Sequence, residues 1–115
     1  MAKDSVLSII RPYLQELDRT GIRVRQAILY GSWARGSAHV DSDIDLVVIS
    51  PQFDDITDRH LIDRLWELTA LVPEAWRIEP IACGERQWLE DDTSPIIEIA
   101  RREGEVIAFE PEAAC

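Results

Sequence analysis

The sequence contains little cysteine and no long apolar run, and both absences limit what the chain can be. Its 115 residues include two cysteines, Cys83 and Cys115, which are too few for a disulfide framework and are not spaced as zinc ligands. No apolar run approaches the length that crosses a bilayer, and residues 1–4 lack the apolar region of a signal peptide. We therefore predict a cytoplasmic protein of one domain, residues 1–115, with no membrane contact.

Positive charge is scarce as well. The 12 basic residues stand against 22 acidic ones, which gives a formal net charge of -10. Such a chain repels the phosphate backbone of nucleic acids, so direct nucleic-acid binding is not expected. The same charge would attract divalent cations or a basic protein partner.

The spacing of apolar residues predicts alternating helices and strands. Val6, Ile10 and Leu17 lie on one face of a first helix, which Pro12 is expected to kink or to shift at its start. The predicted elements are a helix over 6–17, a strand over 24–30, a helical turn over 33–36, a strand over 44–49, a helix over 57–72, a strand over 76–83, a turn over 85–90, a helix over 94–104 and a strand over 106–109. The order α-β-β-α-β-α-β predicts an α/β (or α+β) fold with a small mixed sheet flanked by helices.

Two acidic residues stand at the start of the second strand. Asp43 and Asp45 are two residues apart, so in a strand both carboxylates point to the same face. Two negative charges so close repel each other unless a cation neutralises them, and Mg²⁺ is an ion that prefers such oxygen ligands. Taken alone, an Asp-x-Asp pair is more often a solvated strand end.

A second feature precedes these acids, at the end of the first strand. Gly31 lets the backbone turn sharply and lets a ligand approach it closely. The amides that follow and the Ser32 hydroxyl can donate to phosphate oxygens, and Arg35 adds positive charge nearby. A lone Gly-Ser pair is usually a turn, but phosphate donors followed by paired carboxylates predict a site for a metal ion and a nucleoside triphosphate.

At these residues the sequence resembles the nucleotidyltransferase superfamily, whose signature is Gly-Ser, then an Arg-Gly turn, then Ser-Asp-x-Asp-Leu. The matching segment is 31–46, and the size and element order are similar over nearly the whole chain. The sequence looks most like the minimal nucleotidyltransferases of prokaryotes, similar to the antitoxins of HEPN/MNT toxin–antitoxin pairs. The resemblance implies the nucleotidyltransferase fold. It also implies that Gly31 and Ser32 hold the triphosphate, with Arg35 and Ser42 as further nucleotide-binding candidates.

The resemblance further implies that Asp43 and Asp45 bind two Mg²⁺ ions, with a third carboxylate supplied by a later strand. Glu79 is the candidate, so these three residues form the expected catalytic and metal-binding set. Strand alternation places Glu79 on the same face as Arg77, and Pro80 predicts an edge strand or a bulge because proline cannot donate to a ladder. At this position the sequence has glutamate, whereas the family commonly has aspartate. The alternative to a metal ligand is that Glu79 is a surface residue paired with Arg77.

Several aromatic and histidine side chains have less definite roles. Trp33 follows the Gly-Ser pair and either packs beside the nucleotide, faces a partner or fills the core. Trp66 and Trp88 are expected to face a partner, since a chain of this length does not easily bury four tryptophans. His39 lies between the two halves of the motif and could touch substrate, although loop histidines are more often solvated. His60 is expected on a helix surface.

The implied reaction is transfer of AMP from ATP to an acceptor hydroxyl between two metal ions. The chain has no room for the helices that complete the acceptor site in larger members, so a partner polypeptide is expected to supply it. The specific hypothesis is an antitoxin that forms a hetero-oligomer with a HEPN-type RNase toxin and adenylylates its tyrosine hydroxyl. The acidic surface would suit such a basic, RNA-binding partner.

Two alternatives stay open. The chain could be a binding antitoxin with a weak or inactive site, which neutralises its partner by complex formation alone. The intact Gly31, Ser32, Asp43 and Asp45 argue against this, whereas Glu79 leaves room for it. It could also be a small-molecule nucleotidyltransferase that modifies an antibiotic, although the missing acceptor domain counts against that reading.

Overall fold

The computed structural model describes residues 2–38, 42–54, 59–107 and 109. Helices and strands alternate along this part of the chain. The helices are α1 (Ala2–Arg19), α2 (Ser32–Arg35), α3 (His60–Leu71), α4 (Glu85–Glu90) and α5 (Pro95–Glu103). The strands are β1 (Gln26–Tyr30), β2 (Ile44–Ser50), β3 (Ile78–Gly84) and β4 (Glu105–Ile107), and 3-10 turns cover Pro51–Phe53 and Ala75–Arg77.

The strands form a mixed sheet in the order β3-β2-β1-β4. β1 is antiparallel to both β2 and β4, whereas β2 and β3 run parallel. The predicted class, a small mixed sheet flanked by helices, is confirmed. Pro80 lies on β3 at one edge of the sheet, as expected of a residue that has no N–H to donate to a second neighbour.

Alternate residues of β2 pack on opposite sides of the sheet. Leu46 belongs to the larger core, which contains the buried face of α1 and part of α3. Val47 and Ile49 belong to a smaller core with Ile97 of α5. Because strand residues two apart share a face, Asp45 lies on the side of the smaller core. The apolar residues that follow it anchor this strand end within the sheet.

Helix α1 is not interrupted at Pro12. On its apolar face Ile10, Tyr13 and Leu14 are fully buried, and the Tyr13 hydroxyl donates to the carbonyl of Leu65 at 2.7 Å. Burying these side chains outweighs the single helical hydrogen bond that proline removes.

Element boundaries differ from the predictions in two main places. The strand predicted over 76–83 begins at Ile78, because Ala75–Arg77 form a 3-10 turn. The segment predicted as a turn over 85–90 is helix α4. The predicted start of the helix over 57–72 lies partly outside the described residues, and α3 begins at His60.

Helix α4 begins against a carboxylate from another part of the chain. The Asp54 carboxylate accepts the N–H of Arg86 at 2.9 Å and that of Gln87 at 3.2 Å. Amides in the first turn of a helix have no acceptor within the helix, so Asp54 satisfies two of them. Gly84 permits this contact, because a Cβ there would overlap Oδ1 of Asp54. The cap ties α4 to the turn that follows β2.

In the ranges that the structure describes, we find no helix that is both long enough and apolar enough to cross a membrane.

Candidate functional site

Three neighbouring strands each bring one side chain to the same end of the sheet. The register aligns Tyr30 of β1 with Asp45 of β2, and Asp45 with Glu79 of β3. Directly opposed residues point to one face, so these side chains form a row across the sheet. Asp43 lies two residues before Asp45, immediately ahead of β2. The structure therefore brings together the three carboxylates that were predicted to act as a set.

Gly31 closes this site from the side of β1. Its backbone has φ 75° and ψ -149°, a conformation that essentially only glycine adopts. A Cβ at this position would overlap Oδ2 of Asp45 and lie 3.2 Å from its Cγ. The turn that carries the Gly-Ser pair therefore lies directly against an acid of the Asp-x-Asp pair, which sequence spacing alone did not show.

The carboxylates interact strongly with one another. The pKa of Asp45 is raised, mainly by burial and further by the negative charge of Asp43. A hydrogen bond with Glu79 and the positive charge of Arg35 lower it in part. The pKa of Glu79 is raised by burial, then by the charges of Asp43 and Asp45, and by hydrogen bonds to both. The charged forms of these carboxylates therefore repel one another. A cation placed here would relieve this repulsion.

Tyr30 is a member of the row that the sequence analysis did not single out. Burial, followed by the charges of Asp45 and Glu79, raises the pKa of its phenol to about 12. It therefore stays protonated at neutral pH and can donate to a neighbouring oxygen. Its position directly before Gly31, at the end of a strand opposite the acids, was the available signal.

The donor set fits a magnesium ion that is shared with a nucleotide. Within the described residues, no group of three or more histidine, cysteine and acidic side chains forms a ready-made metal cage. Mg²⁺ in nucleotide sites is usually held by one or two carboxylates together with phosphate oxygens. Asp43 and Asp45, with Glu79 beside them, are the carboxylates that could supply the protein's share of such a set.

The remaining candidates lie on the two segments that adjoin these acids, the turn after β1 and the residues before β2. Ser32 begins α2 directly after Gly31, and Arg35 ends that helix with an exposed side chain whose charge reaches Asp45. Ser42 precedes Asp43, and its carbonyl oxygen accepts two side-chain hydrogen bonds. His39 lies outside the described residues.

Arg77 does not share a strand face with Glu79, and that prediction was wrong. It ends the 3-10 turn ahead of β3. Its Nη2 donates to the Ser42 carbonyl at 3.3 Å, and its guanidinium carbon lies 5.7 Å from the centroid of the Trp33 ring. Strand alternation failed here because the extended backbone starts one residue after Arg77.

The tryptophans fall into different environments. Trp33 is 7% exposed and belongs to the larger core, so the core-filling interpretation holds. Trp66 is 50% exposed, as expected for a partner-facing residue, and Trp76, which was not singled out, is 71% exposed. Trp88 differs from the prediction: it packs on the smaller core, and the guanidinium carbon of Arg101 lies 5.6 Å from its ring centroid.

Comparison with known structures identifies similar folds. A candidate nucleotidyltransferase from Sulfolobus solfataricus superposes with a TM-score of 0.62 at 14% identity, over 91% of this chain and 81% of that one. A toxin–antitoxin structure with AMP-PNP gives a TM-score of 0.52 at 22% identity, over 85% and 72%. A mutant of the MntA-HpeT toxin–antitoxin gives 0.49 at 19% identity, over 84% and 70%. No curated protein is significantly similar in sequence.

The family comparison covers most of the chain. The sequence model described as "Nucleotidyltransferase domain" matches residues 7–104, a range that includes every candidate residue of the site. It runs from within α1 to the residue after α5, so β1, β2, β3 and the helices on both faces of the sheet are part of the match, whereas β4 lies just beyond it. The chain therefore belongs to the nucleotidyltransferase domain family.

Proposed function

We propose that this protein is a magnesium-dependent nucleotidyltransferase that transfers AMP from ATP to a hydroxyl group of a partner protein. The observation that carries the proposal is the contact between the two halves of the motif. Gly31 lies so close to Asp45 that a Cβ would overlap its carboxylate. Phosphates held at the Gly-Ser turn would thus lie next to the carboxylates that are available to a metal ion.

Each side chain then has a distinct task. The Ser32 hydroxyl and the amides beside it donate to triphosphate oxygens, and Arg35 offsets their charge. Asp43 and Asp45 would hold two Mg²⁺ ions with Glu79 as a third carboxylate. When bound, such ions would supply electrostatic stabilisation of the attacking and leaving oxygens.

Glu79 would act as the base in this proposal. The acceptor oxygen forms a bond to the α-phosphorus, the bond from that phosphorus to the bridging oxygen breaks, and pyrophosphate leaves. The proton of the acceptor hydroxyl passes to Glu79. Its alignment with Asp45 in the register of β2 and β3 supports this role, because it puts a carboxylate beside the acids that would hold the metal.

The proposed acceptor is a tyrosine hydroxyl of a HEPN-type toxin, for which this chain would be the antitoxin. Exposed apolar side chains support a protein partner: Trp66 and Leu71 on α3, and Trp76 in the turn that follows, are each at least 50% exposed. The net charge of -10 would suit a basic RNase. The similar fold of a toxin–antitoxin structure with AMP-PNP also supports the proposal.

The test is transfer of label from α-labelled ATP to the product of the adjacent gene in the presence of Mg²⁺. We expect the wild-type protein to label its partner, and Asp43→Asn and Asp45→Asn to reduce the rate on the order of 100-fold or more. Asp92→Asn makes the same chemical change at an exposed residue between α4 and α5 and should leave the rate unchanged.

The outcome also separates the enzyme from a binding antitoxin. Complex formation and inhibition of the partner that survive both active-site substitutions, with no label on any protein, would contradict enzymatic transfer. Labelling of an added small molecule instead of the partner would contradict the proposed acceptor but not the chemistry.

A further inference from the structure

The carbonyl oxygen of Ser42 is held by two side chains from different segments. Nε1 of Trp33 donates to it at 3.4 Å, and Nη2 of Arg77 donates to it at 3.3 Å. The guanidinium carbon of Arg77 lies 5.7 Å from the centroid of the Trp33 ring, within the range of cation–π attraction. We call Trp33, Ser42 and Arg77 the carbonyl clasp.

The carbonyl clasp joins the three segments that carry the candidate site. Trp33 follows the Gly-Ser pair on α2, Ser42 directly precedes Asp43, and Arg77 lies two residues before Glu79. A change in the position of any of these segments would therefore be transmitted to the other two. These side-chain contacts are separate from the strand pairing, and they restrict the positions of the three segments further than the sheet alone does.

Asp43 is the carboxylate that most needs such support. The pairing of β1 with β2 ends at Asp45, and the pairing of β2 with β3 begins at Ile44. Asp43 itself belongs to neither register. The Ser42 carbonyl belongs to the peptide bond that links Ser42 to Asp43. Hydrogen bonds to that oxygen therefore restrict the backbone conformation just before Asp43.

We propose that the carbonyl clasp positions the Asp43 carboxylate for Mg²⁺, with Trp33 and Arg77 as positioning residues. This inference rests on the proposed function, because it assumes that Asp43 is a metal ligand. Trp33 is 7% exposed, so the core holds its ring and gives the clasp a rigid base. The planar guanidinium of Arg77 stacks and donates at the same time, which the ammonium of lysine cannot reproduce.

The experiment measures the Mg²⁺ dependence of nucleotide binding rather than turnover. Mg²⁺ is titrated into protein saturated with AMP-PNP, and AMP-PNP binding is measured separately without Mg²⁺. Arg77→Met should raise the Mg²⁺ midpoint about 10- to 100-fold, the usual effect of losing a residue that orients a ligand. Trp33→Phe keeps an aromatic ring but loses the indole N–H, and it should raise the Mg²⁺ midpoint about 5-fold. Binding without Mg²⁺ should stay unchanged in both.

The chain contains a matched control pair. Arg101 lies 5.6 Å from the ring centroid of Trp88 and donates to its carbonyl at 2.8 Å, yet this pair joins α4 and α5 rather than segments of the site. Arg101→Met removes the same kinds of contact as Arg77→Met, and Trp88→Phe makes the same side-chain change as Trp33→Phe. They should leave the Mg²⁺ midpoint unchanged, whatever they do to thermal stability.

Two results would overturn the clasp. One is an unchanged Mg²⁺ midpoint in folded Arg77→Met. The other is an Arg77→Met variant whose AMP-PNP affinity without Mg²⁺ falls by the same factor as its Mg²⁺ midpoint rises, since Arg77 would then act on the nucleotide directly. If Arg77→Met does not fold, Trp33→Phe and Arg77→Lys decide by the same criteria. Wild-type protein that shows no Mg²⁺-dependent binding would overturn the proposed function, and the clasp with it.

Discussion

At the scale of single residues, Gly31 has a backbone conformation that favours glycine, and it lies against an acid of the candidate site. Gly31→Ala would place a non-glycine residue at φ 75° and ψ -149° and force its Cβ into the Asp45 carboxylate. We expect the free energy of unfolding to fall by about 1–3 kcal/mol and Mg²⁺-dependent nucleotide binding to be lost. Chemical denaturation and calorimetry measure the two effects.

Gly21→Ala is the control for the strain alone. Gly21 also has a positive φ, 107°, but a Cβ there would meet no atom within 4 Å. This variant should lose stability and still bind nucleotide. If Gly31→Ala bound nucleotide as well as Gly21→Ala did, the close approach of Gly31 to Asp45 would have no role in the site.

The carboxylates predict how stability changes with pH in the absence of metal. Asp45 and Glu79 have raised pKa values in the folded protein, so between their ordinary and raised values the folded state holds more protons than the unfolded chain. Their contribution to stability is complete below the ordinary values of 3.8 and 4.5 and is lost as pH rises through the raised ones.

Asp45→Asn should therefore raise the thermal unfolding midpoint at pH 7 and not below pH 3.8, because an amide cannot ionise. Glu79→Gln should act in the same direction but more weakly, since Glu79 is exposed and solvent screens its charge. Melting curves across this range, without divalent ions, provide the measurement. A lower midpoint for Asp45→Asn at pH 7 would show that the charged carboxylate is favourable in the folded state.

At the scale of secondary structure elements, Asp54 makes the start of α4 sensitive to a residue distant in sequence. Asp54→Ala removes the acceptor for two amides of the first turn. We expect a loss of about 1 kcal/mol in the free energy of unfolding, as for other helix caps, with nucleotide binding intact. Asp92→Ala is the exposed control, and an equal loss in both variants would mean that the cap contributes nothing.

The contact between Asp54 and α4 shows why some elements could not be predicted from local sequence. The apolar periods of α1 and α3, and the Ser94-Pro95 start of α5, are local signals, and they predicted those helices. The helix at 85–90 was predicted as a turn because part of what stabilises it is the Asp54 carboxylate, which lies on another segment. Likewise the 3-10 turn at 75–77 has no periodic signature, so β3 was predicted to start too early and Arg77 was assigned to a strand face.

At the scale of the whole molecule, the sequence indicated the candidate residues of the site but not how they lie relative to one another. Alternation in the predicted strand placed Asp43 and Asp45 on one face from local information alone, although the observed β2 begins at Ile44, between the two acids. The position of Glu79 beside Asp45 depends on the parallel pairing of β2 with β3, which no local pattern specifies. The family resemblance predicts Glu79 without this pairing, whereas the alignment of Tyr30 with Asp45 and the carbonyl clasp are visible only in three dimensions.

The overall charge leads to a prediction about the proposed partner. A net charge of -10 should accelerate association with a basic toxin at low ionic strength. Raising the salt concentration should therefore slow association about 10-fold or more, while dissociation changes little. Association kinetics at several salt concentrations measure this, and a rate independent of salt would exclude electrostatic steering.

The most direct test of the central claim is the dissociation constant of AMP-PNP with and without Mg²⁺. In the wild-type protein we predict that Mg²⁺ tightens binding, and that the double substitution Asp43→Asn with Asp45→Asn abolishes this tightening while the protein remains folded. Equal affinities with and without Mg²⁺ in wild type, or the same Mg²⁺ effect in the double variant, would contradict a metal and nucleotide site at these carboxylates.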